Sequence, residues 1–253
     1  MKTQNDVHAT RLSAGTKIAV LGFGPEARER AMQLRAAGHA VTIGLRPGGM
    51  SWVRAAKDGF RPAPTSLAVA DADIVALLVP DADQPSVYWN AIAPHVSPNA
   101  LLVFGHGLAL YTGAVEPERG DAVVVSSAEG GCRVAVHRDA TGSALERAIA
   151  FARAAFAPGA KVDATSISAE IEAELTEREH RAGGPSALIA ELDAELSSAA
   201  RSHEADEMRI AYYERLRAAL ARRDVGRSSR VIPVSTASAS VPGEPEHRWR
   251  GVA

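Results

Sequence analysis

Residues 17–27 read KIAVLGFGPEA, and this stretch decides the fold. An apolar run that ends at Leu21 predicts a buried strand, and Gly22 and Gly24 follow it directly before a helix-forming segment. In such a strand–turn–helix unit the first glycine permits a tight turn, the second lets the backbone approach a pyrophosphate, and the helix N-terminus offers free N–H groups. The stretch therefore predicts a dinucleotide-binding βαβ unit, with a glycine-rich turn that binds no ligand as the alternative.

The rest of the chain extends this pattern in its first part and abandons it later. Apolar runs alternate with helix-forming segments, in the order HAVTIGL, DADIVALLVP, NALLVFGHG, DAVVVSS and CRVAVH. This alternation predicts an α/β domain with a parallel sheet over residues 14–160. Three amphipathic segments then predict a smaller all-helical domain over residues 161–225. Residues 1–13 and 226–253 lack such periodicity and are predicted to be a flexible N-terminus and a mobile tail.

Composition narrows the classes of partner. The chain has 253 residues, and the 46% that are hydrophobic are enough for a substantial core. Its formal net charge is −2 and its pI is near 6.5, so no basic field predicts binding to nucleic acid or to a membrane surface. The single cysteine, Cys132, excludes an intramolecular disulfide. With a polar N-terminus and no apolar run of membrane-spanning length, the sequence predicts a cytoplasmic protein.

The end of the second predicted strand indicates which dinucleotide binds. About 20 residues after the glycines, an enzyme that uses NAD usually has an acidic side chain for the ribose 2′-hydroxyl. Here the sequence is GLRPGGMSW, with Arg46 and Ser51 and no acid. A guanidinium and a hydroxyl suit a 2′-phosphate because the contact is charge-assisted. NADPH is therefore predicted over NADH, and an ordinary surface role for Arg46 is the alternative.

Several segments together resemble the ketol-acid reductoisomerase family, also called acetohydroxyacid isomeroreductases. GFGPEA, GLRPGGMSW, LLVPDADQPSVYWNAIAPH, LLVFGHG and AVHRDATGSALERAIAFA occur in the family's order, and the similarity is close over residues 14–157 and weak afterwards. The resemblance implies a Rossmann-type NADPH-binding domain followed by a helical domain that carries divalent metal and substrate. Members of the family reduce a 2-keto acid after an alkyl shift. This chain resembles a shortened and divergent member.

The resemblance also assigns roles to individual residues. On the pyrophosphate side of the cofactor they are Gly22, Phe23, Gly24, Pro25 and Glu26. On the nicotinamide-ribose side they are Pro80, Asp81 and Gln84. His106, in FGHG, matches the family's active-site histidine, and a histidine at a strand end exchanges protons near neutral pH. A loop hydrogen bond is the alternative role for His106.

The family's magnesium ligands are only partly present. In EIEAELTERE, Glu174 takes the place of an aspartate ligand, but Arg178 stands where the partner glutamate is expected. In IAYYERLRAAL, Glu214 is retained and Ala218 replaces the next glutamate. Mg²⁺ requires several oxygen ligands, so the sequence predicts no metal centre. A further departure is Glu129, which replaces a lysine, with almost none of the loop that normally follows.

The acidic helix around Glu174 has two interpretations. Glu174 and Arg178 lie at i,i+4 and can pair on one helix face, and in a cleft Arg178 can hold a substrate carboxylate in place of the metal. A solvated, charged helix is the alternative. The acids assigned to the solvated surface are Glu170, Glu172, Glu177 and Glu179.

Together these features predict an NADPH-dependent reductase that acts on a small molecule without the alkyl migration. That migration needs metal ions to polarise adjacent oxygens, whereas hydride transfer to a C=O or C=N group does not. The predicted catalytic residues are His106, Glu174, Arg178 and Glu214. The alternatives are a ketol-acid reductoisomerase with a compacted metal site and a non-catalytic NADPH-binding protein.

The helical segments also predict a homodimer. They form a layer too thin to enclose a nicotinamide and a substrate while burying an apolar stripe. That stripe consists of Leu188, Ile189, Leu192 and Leu196. In the resembled family a second subunit covers it, so Glu214 of one chain is predicted near Glu174 and His106 of the other. The alternative is a set of helices that fold back over their own sheet.

Overall fold

An eight-stranded sheet forms the centre of the computed structural model, which describes residues 11–201 and 206–228. The strands are β1 (Lys17–Leu21), β2 (Ala40–Leu45), β3 (Arg61–Pro64), β4 (Ile74–Leu77), β5 (Leu101–Phe104), β6 (Asp121–Ala128), β7 (Gly131–Arg138) and β8 (Lys161–Ser166). Their order is β3-β2-β1-β4-β5-β6-β7-β8. The strand order reverses between β1 and β4, and ligands of open α/β sheets bind at the strand carboxyl ends near such a reversal.

Helices cover both faces of the sheet. They are α1 (Pro25–Ala36), α2 (Met50–Lys57), α3 (Thr65–Ala70), α4 (Gln84–Val87), α5 (Leu108–Tyr111), α6 (Ala144–Ala155), α7 (Ile167–Ala182), α8 (Pro185–Arg201) and α9 (Glu207–Ser228). Side chains alternate along β1, so Ile18 and Val20 pack with α1, α2 and α6, whereas Ala19 and Leu21 pack with the remaining helices. The predicted α/β class, with a Rossmann-type domain and a helical region, is confirmed.

Two strands depart from the predicted parallel sheet. β7 runs antiparallel to β6, and the two are joined by the two residues Glu129 and Gly130. Gly130 has a φ of 72°, which a glycine adopts without strain in so tight a turn. The loop is therefore as short as the sequence indicated. β8 lies parallel to β7 and continues the sheet beyond the predicted boundary at residue 160. Its sequence KVDATS is polar because it forms a largely exposed edge strand, and for that reason it gave no apolar signal.

The boundaries of the helical region also differ from the prediction. α9 ends at Ser228, three residues inside the segment predicted to be a mobile tail from residue 226. The rest of that segment, and residues 1–10 of the predicted flexible N-terminus, lie outside the described residues. In the described ranges, no helix has both the length and the apolar character needed to cross a bilayer.

The helical region packs against its own sheet. Leu188 and Leu192 are each only 6% exposed, and they share a core with Phe104 of β5 and Leu216 of α9. Ile189 packs at the edge of the same core. Burial of these side chains therefore does not require a second copy of the chain. This removes one argument for the homodimer, which stays a prediction.

Candidate active site

The glycine turn after β1 leaves open space in front of α1. Gly22 has a φ of 97°, and a Cβ there would lie 2.7 Å from the carbonyl oxygen of Leu78, so no larger residue fits. Gly24 precedes the first residue of α1, and a Cβ on Gly24 would meet no atom within 4 Å. Pro25 follows at the first helical position, where its missing N–H leaves no donor unsatisfied. The turn therefore has the open, glycine-bordered helix start that an anion such as a pyrophosphate requires.

The side chains of Phe23 and Glu26, in and just after this turn, point to different surroundings. The Phe23 side chain is buried in the core, with its ring edge-on to Phe60 at a centroid distance of 5.7 Å. Only its backbone is left for the cofactor contact that the resemblance assigned. The Glu26 carboxylate points towards the end of β6, where it lies 3.5 Å from the Ser127 hydroxyl and 3.9 Å from Arg30 Nη2. The Glu26 side chain therefore reaches from the glycine turn across the strand ends towards β6.

Helix α2, which follows the loop after β2, contains a second arginine that sequence reasoning missed. Arg46 is exposed, and Ser51 lies in the first turn of α2. The Arg54 guanidinium donates a hydrogen bond of 2.8 Å to the Ser51 hydroxyl oxygen. Because this hydroxyl accepts from Arg54, its own proton is left to donate to an anion. The i,i+3 spacing of Ser51 and Arg54 on a helix was the available signal.

The loop after β4 is more buried than expected. Asp81 is 8% exposed and Gln84 is 1% exposed, whereas Pro80 is exposed. Gln84 Nε2 donates to Asp81 Oδ1 at 2.9 Å, and the Arg178 guanidinium donates to Asp81 Oδ2. Asp81 and Gln84 are thus held by the protein itself, and of the three residues assigned to the nicotinamide-ribose side only Pro80 presents an open surface.

His106 and Glu174 meet at the carboxyl end of β5. Glu174 is 6% exposed, and its Oε1 lies 3.6 Å from Nδ1 of the half-exposed His106 ring. The backbone N–H of Gly107 donates to Glu174 Oε2 at 2.8 Å, and Arg178 Nη2 donates to Oε1 at 3.2 Å. Burial raises the pKa of Glu174, and the negative charge of Asp81 adds to the rise, while His106, Gly107 and Arg178 oppose it. Glu174 therefore holds a proton to a higher pH than an ordinary glutamate.

Helix α7 brings these groups together. Its first turn is capped by the Ser166 hydroxyl, which accepts from the backbone N–H of Ala169 at 3.2 Å. Arg178 follows Glu174 by four positions, so both side chains project from one face of α7, and that face is turned towards Asp81. Arg178, predicted to hold a substrate carboxylate, is instead engaged by two carboxylates of its own chain.

Two of the acids assigned to the solvated surface are buried. Glu170 has no exposed surface, and it accepts from the Ser126 hydroxyl at 2.5 Å and from Arg133 Nε at 2.6 Å. Glu179 is 8% exposed and pairs with Arg223. The assignment was wrong for these two because α7 crosses the polar ends of the strands, so several of its charges face the protein. A charge run alone does not reveal what a helix packs against.

Glu214 does not join His106 and Glu174 in its own chain. It is exposed on α9, whereas Tyr212, two residues earlier, is 1% exposed and lies beside Asp81 and Arg178. Residues two apart on a helix point in nearly opposite directions, so Glu214 points away from the site.

The donor set does not fit the two-magnesium centre that the resemblance implies. Arg178 occupies one ligand position and already bonds to Glu174, while Glu214 points elsewhere and Ala218 carries no ligand. Across residues 11–201 and 206–228, no group of three or more His, Cys, Asp or Glu side chains is arranged to hold a metal ion. A cation of the protein therefore lies among the carboxylates where the resemblance implies a metal ion.

Two clefts meet at this cluster. The first, here called the α1 cleft, has a volume of about 480 Å³ and lies between the start of α1, the end of β6 and α7; its lining includes Glu26, Ser127 and Glu174. The second, here called the α9 cleft, has a volume of about 310 Å³ and is bounded by Pro80, Leu192 and Leu216. His106 and Arg178 line both clefts, so they separate the glycine turn from the apolar surface of α8 and α9.

The first half of the chain is similar to known proteins. Residues 12–134 match the family model described as the acetohydroxy acid isomeroreductase NADPH-binding domain. The chain is 38% identical over 176 residues to the ketol-acid reductoisomerases (NADP(+)) of Pyrobaculum islandicum and Pyrobaculum neutrophilum. The matches cover 64% of this chain but only 53% and 54% of those proteins, so the chain spans about half the length of the curated relatives that it matches.

A solved structure extends the similarity into the helical region. It is an NADH-preferring ketol-acid reductoisomerase from an uncultured archean, with 25% sequence identity and a TM-score of 0.59. The superposition covers 84% of this chain and 83% of that one. The resemblance stated from the sequence motifs is thereby confirmed.

Proposed function

Starting from a chain that is related to the ketol-acid reductoisomerases, we propose that it is an NADPH-dependent reductase of a C=O or C=N group and does not catalyse the alkyl migration. The substrate is a small molecule. The observation that carries the proposal is the cluster of Glu174, His106 and Arg178 where the two clefts meet. It places a carboxyl group with a raised pKa beside a histidine, and it places a guanidinium where the migration needs a metal.

The residues of the chain divide the work of such a reduction. Backbone N–H groups at the start of α1, after Gly24, bind the pyrophosphate. The side chains of Arg46, Ser51 and Arg54 bind the 2′-phosphate. A bound NADPH supplies the hydride. Glu174 holds the proton that the product oxygen or nitrogen requires, and His106, 3.6 Å away and half exposed, passes it to the substrate. Arg178 stabilises the ionised form of Glu174 after the proton has left.

The first prediction concerns the choice of cofactor. We expect NADPH to bind at least several-fold more tightly than NADH, because Arg46 and Ser51 favour a 2′-phosphate. Arg46→Asp should abolish or reverse this preference by removing a charge-assisted contact of roughly 1.5–3 kcal/mol. Dissociation constants from nicotinamide fluorescence titrations test this.

The matched control is Arg222→Asp, which makes the same change of charge on the exposed surface of α9. It should leave the ratio of the two dissociation constants unchanged. Equal affinities for NADPH and NADH in the unmodified protein contradict the assignment of Arg46. Since a similar solved structure is described as NADH-preferring, the outcome is informative in either direction.

The second prediction separates the proposed reductase from a ketol-acid reductoisomerase with a compacted metal site. That alternative is supported by the extent of the structural similarity. With Arg178 and Ala218 at ligand positions, we expect no magnesium-dependent conversion of acetolactate to the dihydroxy acid. Conversion at about 1 s⁻¹ or faster would establish the alternative. NADPH oxidation with a panel of keto acids and imines, in the presence of a chelator, tests the reductase itself and distinguishes it from a non-catalytic NADPH-binding protein.

The third prediction concerns assembly. We propose a homodimer in the cytoplasm, supported now by the exposed position of Glu214 alone. Sedimentation equilibrium should give about twice the chain mass of 26.5 kDa. If Glu214 reaches the partner's site, mixing an inactive Glu214→Ala chain with an inactive His106→Ala chain should restore activity. The mixed dimer then has one site in which both residues are intact. A sedimentation mass equal to that of one chain rejects the shared site.

A further inference from the structure

The arginines of the α1 cleft are paired with carboxylates of the same cleft. Arg133 Nε lies 2.6 Å from Glu170 Oε2, and Arg178 Nη2 lies 3.2 Å from Glu174 Oε1. The two other arginines of the lining pair with exposed glutamates at 3.3 Å and 2.7 Å. Glu26 is a fifth glutamate beside these four pairs, so the lining has a formal charge of −1 when its histidine is counted as neutral. The cleft therefore offers no net attraction to an anionic substrate.

The two serine hydroxyls of the cleft serve the same carboxylates. Ser126 donates a hydrogen bond of 2.5 Å to Glu170 Oε1. The Ser127 hydroxyl oxygen accepts from Arg30 Nη2 at 2.8 Å and lies 3.5 Å from Glu26 Oε1. Because carboxylates already occupy these donors, a negatively charged oxygen of a substrate would have to displace one of them.

Glu26 has the most distant partners of these carboxylates. Its Oε1 lies 3.9 Å from Arg30 Nη2, and the same guanidinium is closer to Glu29, at 3.3 Å. The distance of 3.5 Å to the Ser127 hydroxyl is at the limit of a hydrogen bond. The Glu26 side chain is 35% exposed and lines the cleft. It can therefore accept a further hydrogen bond or ion pair from a ligand.

Two carboxylates lie next to the backbone on either side of His106. A Cβ on Gly105 would lie 3.8 Å from Glu26 Oε2, and a Cβ on Gly107 would lie 3.7 Å from Glu174 Oε2. The His106 ring is half exposed and lines the cleft between these two positions. A group that is bound beside the imidazole is therefore close to both carboxylates.

This arrangement suits a cationic C=N⁺ group better than a carbonyl group. Hydride transfer from NADPH to a neutral carbonyl separates charge, because it forms an alkoxide and a positively charged nicotinamide. Hydride transfer to an iminium ion instead moves one positive charge from the substrate to the nicotinamide. Carboxylates beside the reacting atoms stabilise that cation before and after the transfer, whereas they destabilise an alkoxide.

We propose that the substrate in the α1 cleft is an imine that reacts as its iminium ion, and that the Glu26 carboxylate stabilises the positive charge beside His106. This inference rests on the proposed reductase function and narrows its substrate to imines that carry no negative group. In the step, the hydride of NADPH forms a C–H bond at the iminium carbon, and the π electrons of the C=N bond become the lone pair of an amine nitrogen. NADP⁺ and the amine are the products.

The test uses N-methyl-1-pyrrolinium, a permanent iminium ion that needs no proton before hydride transfer, and cyclopentanone as a neutral ring of the same size. The kcat/KM of the full chain with NADPH is measured for both compounds. Glu26→Gln removes the charge and keeps the size of the side chain, whereas Glu26→Asp keeps the charge. Glu29→Gln is the matched control, because it makes the same change on the same helix and in the same cleft, but at a side chain that is 61% exposed.

Glu26→Gln should lower kcat/KM for the iminium ion by about tenfold or more and should not lower it for cyclopentanone. Its Tm should be unchanged and its affinity for NADPH should not fall. Glu26→Asp should retain most of the activity with the iminium ion, and Glu29→Gln should stay within about threefold of the unmodified protein. An equal fall with both compounds, or a loss of NADPH affinity, shows a structural or cofactor role for Glu26 and overturns the proposal. Unchanged activity of Glu26→Gln with the iminium ion overturns it as well.

Binding of a cation that cannot be reduced separates this inference from the proposed function. N,N-Dimethylpyrrolidinium has the ring and the charge but no C=N bond, and calorimetry with the NADPH-loaded protein gives its dissociation constant. Binding that is weakened by Glu26→Gln and not by Glu29→Gln, with no turnover of any imine or carbonyl compound, supports the cation site and rejects the reductase function. Turnover of carbonyl compounds, with neither binding of this cation nor turnover of the iminium ion, rejects the inference and leaves the reductase function intact. Absence of all binding and turnover rejects both.

Discussion

Arg178→Met is expected to destabilise the protein by about 3 kcal/mol or more, because it leaves the carboxylates of Asp81 and Glu174 buried without their cation. Methionine keeps the length of the side chain, so the loss of charge is the main change. Urea unfolding at neutral pH, followed by circular dichroism, measures the difference. The deficit should shrink as the pH falls and Glu174 takes up a proton, because one of the two unpaired charges then disappears.

Arg181→Met provides the matched control one turn later on α7. Arg181 pairs with Glu177 at 2.7 Å, but the two side chains are 71% and 63% exposed. An exposed pair of this kind contributes less than about 1 kcal/mol. Equal destabilisation by the two substitutions would mean that the ion pairs of Arg178 contribute no more to stability than an exposed pair does.

Glu174→Gln is expected to lower kcat by about 10²- to 10⁴-fold, since glutamine keeps an acceptor for the Gly107 N–H but cannot deliver a proton. The affinity for NADPH should stay the same because Glu174 is not among the residues assigned to the cofactor. In the unmodified protein the rate should decline as the pH rises through the raised pKa of Glu174, because the proton-holding form is the active one. Glu174→Gln should lack this limb of the profile.

Glu177→Gln is the control for this experiment, since Glu177 is on the same helix and lines the same cleft but is 63% exposed. Its kcat should stay within about threefold of the unmodified value. If the pH profile of Glu174→Gln still declines at alkaline pH, a group other than Glu174 supplies the proton. An unaltered kcat would remove Glu174 from the mechanism.

The sequence predicted best those features that depend on neighbouring residues. The glycine turn around Gly22 and Gly24 was predictable because its strand, turn and helix are contiguous. The short connection at Glu129 was visible in the sequence as well, but the antiparallel pairing of β6 and β7 was not predicted. The pairing of Arg178 with Asp81 was not predictable, because 97 residues separate them and only the packing of α7 over the strand ends brings them together. Burial of Glu170 was hidden in the same way, since its partners lie on β6 and β7.

The strand β8 shows a different limit. Its side chains are mostly exposed or half-buried, so its place in the sheet depends on backbone hydrogen bonds to β7. Backbone hydrogen bonds do not require any particular order of polar and apolar side chains, so a sequence pattern does not reveal them. An edge strand of this kind becomes visible only when the neighbouring strand is in place.

The guanidinium of Arg178 differs from a magnesium ion in how the site comes to be occupied. A dissociable ion fills its site according to its free concentration and its affinity, whereas Arg178 is covalently part of the chain and is present whenever the chain is folded. Occupancy is thus independent of cellular magnesium supply and of chelators. The exchange has a chemical limit, because a guanidinium reaches oxygens only through N–H hydrogen bonds and cannot coordinate and polarise two adjacent oxygens directly as a metal ion does. The chain thereby retains compensation of charge and gives up direct coordination of the substrate.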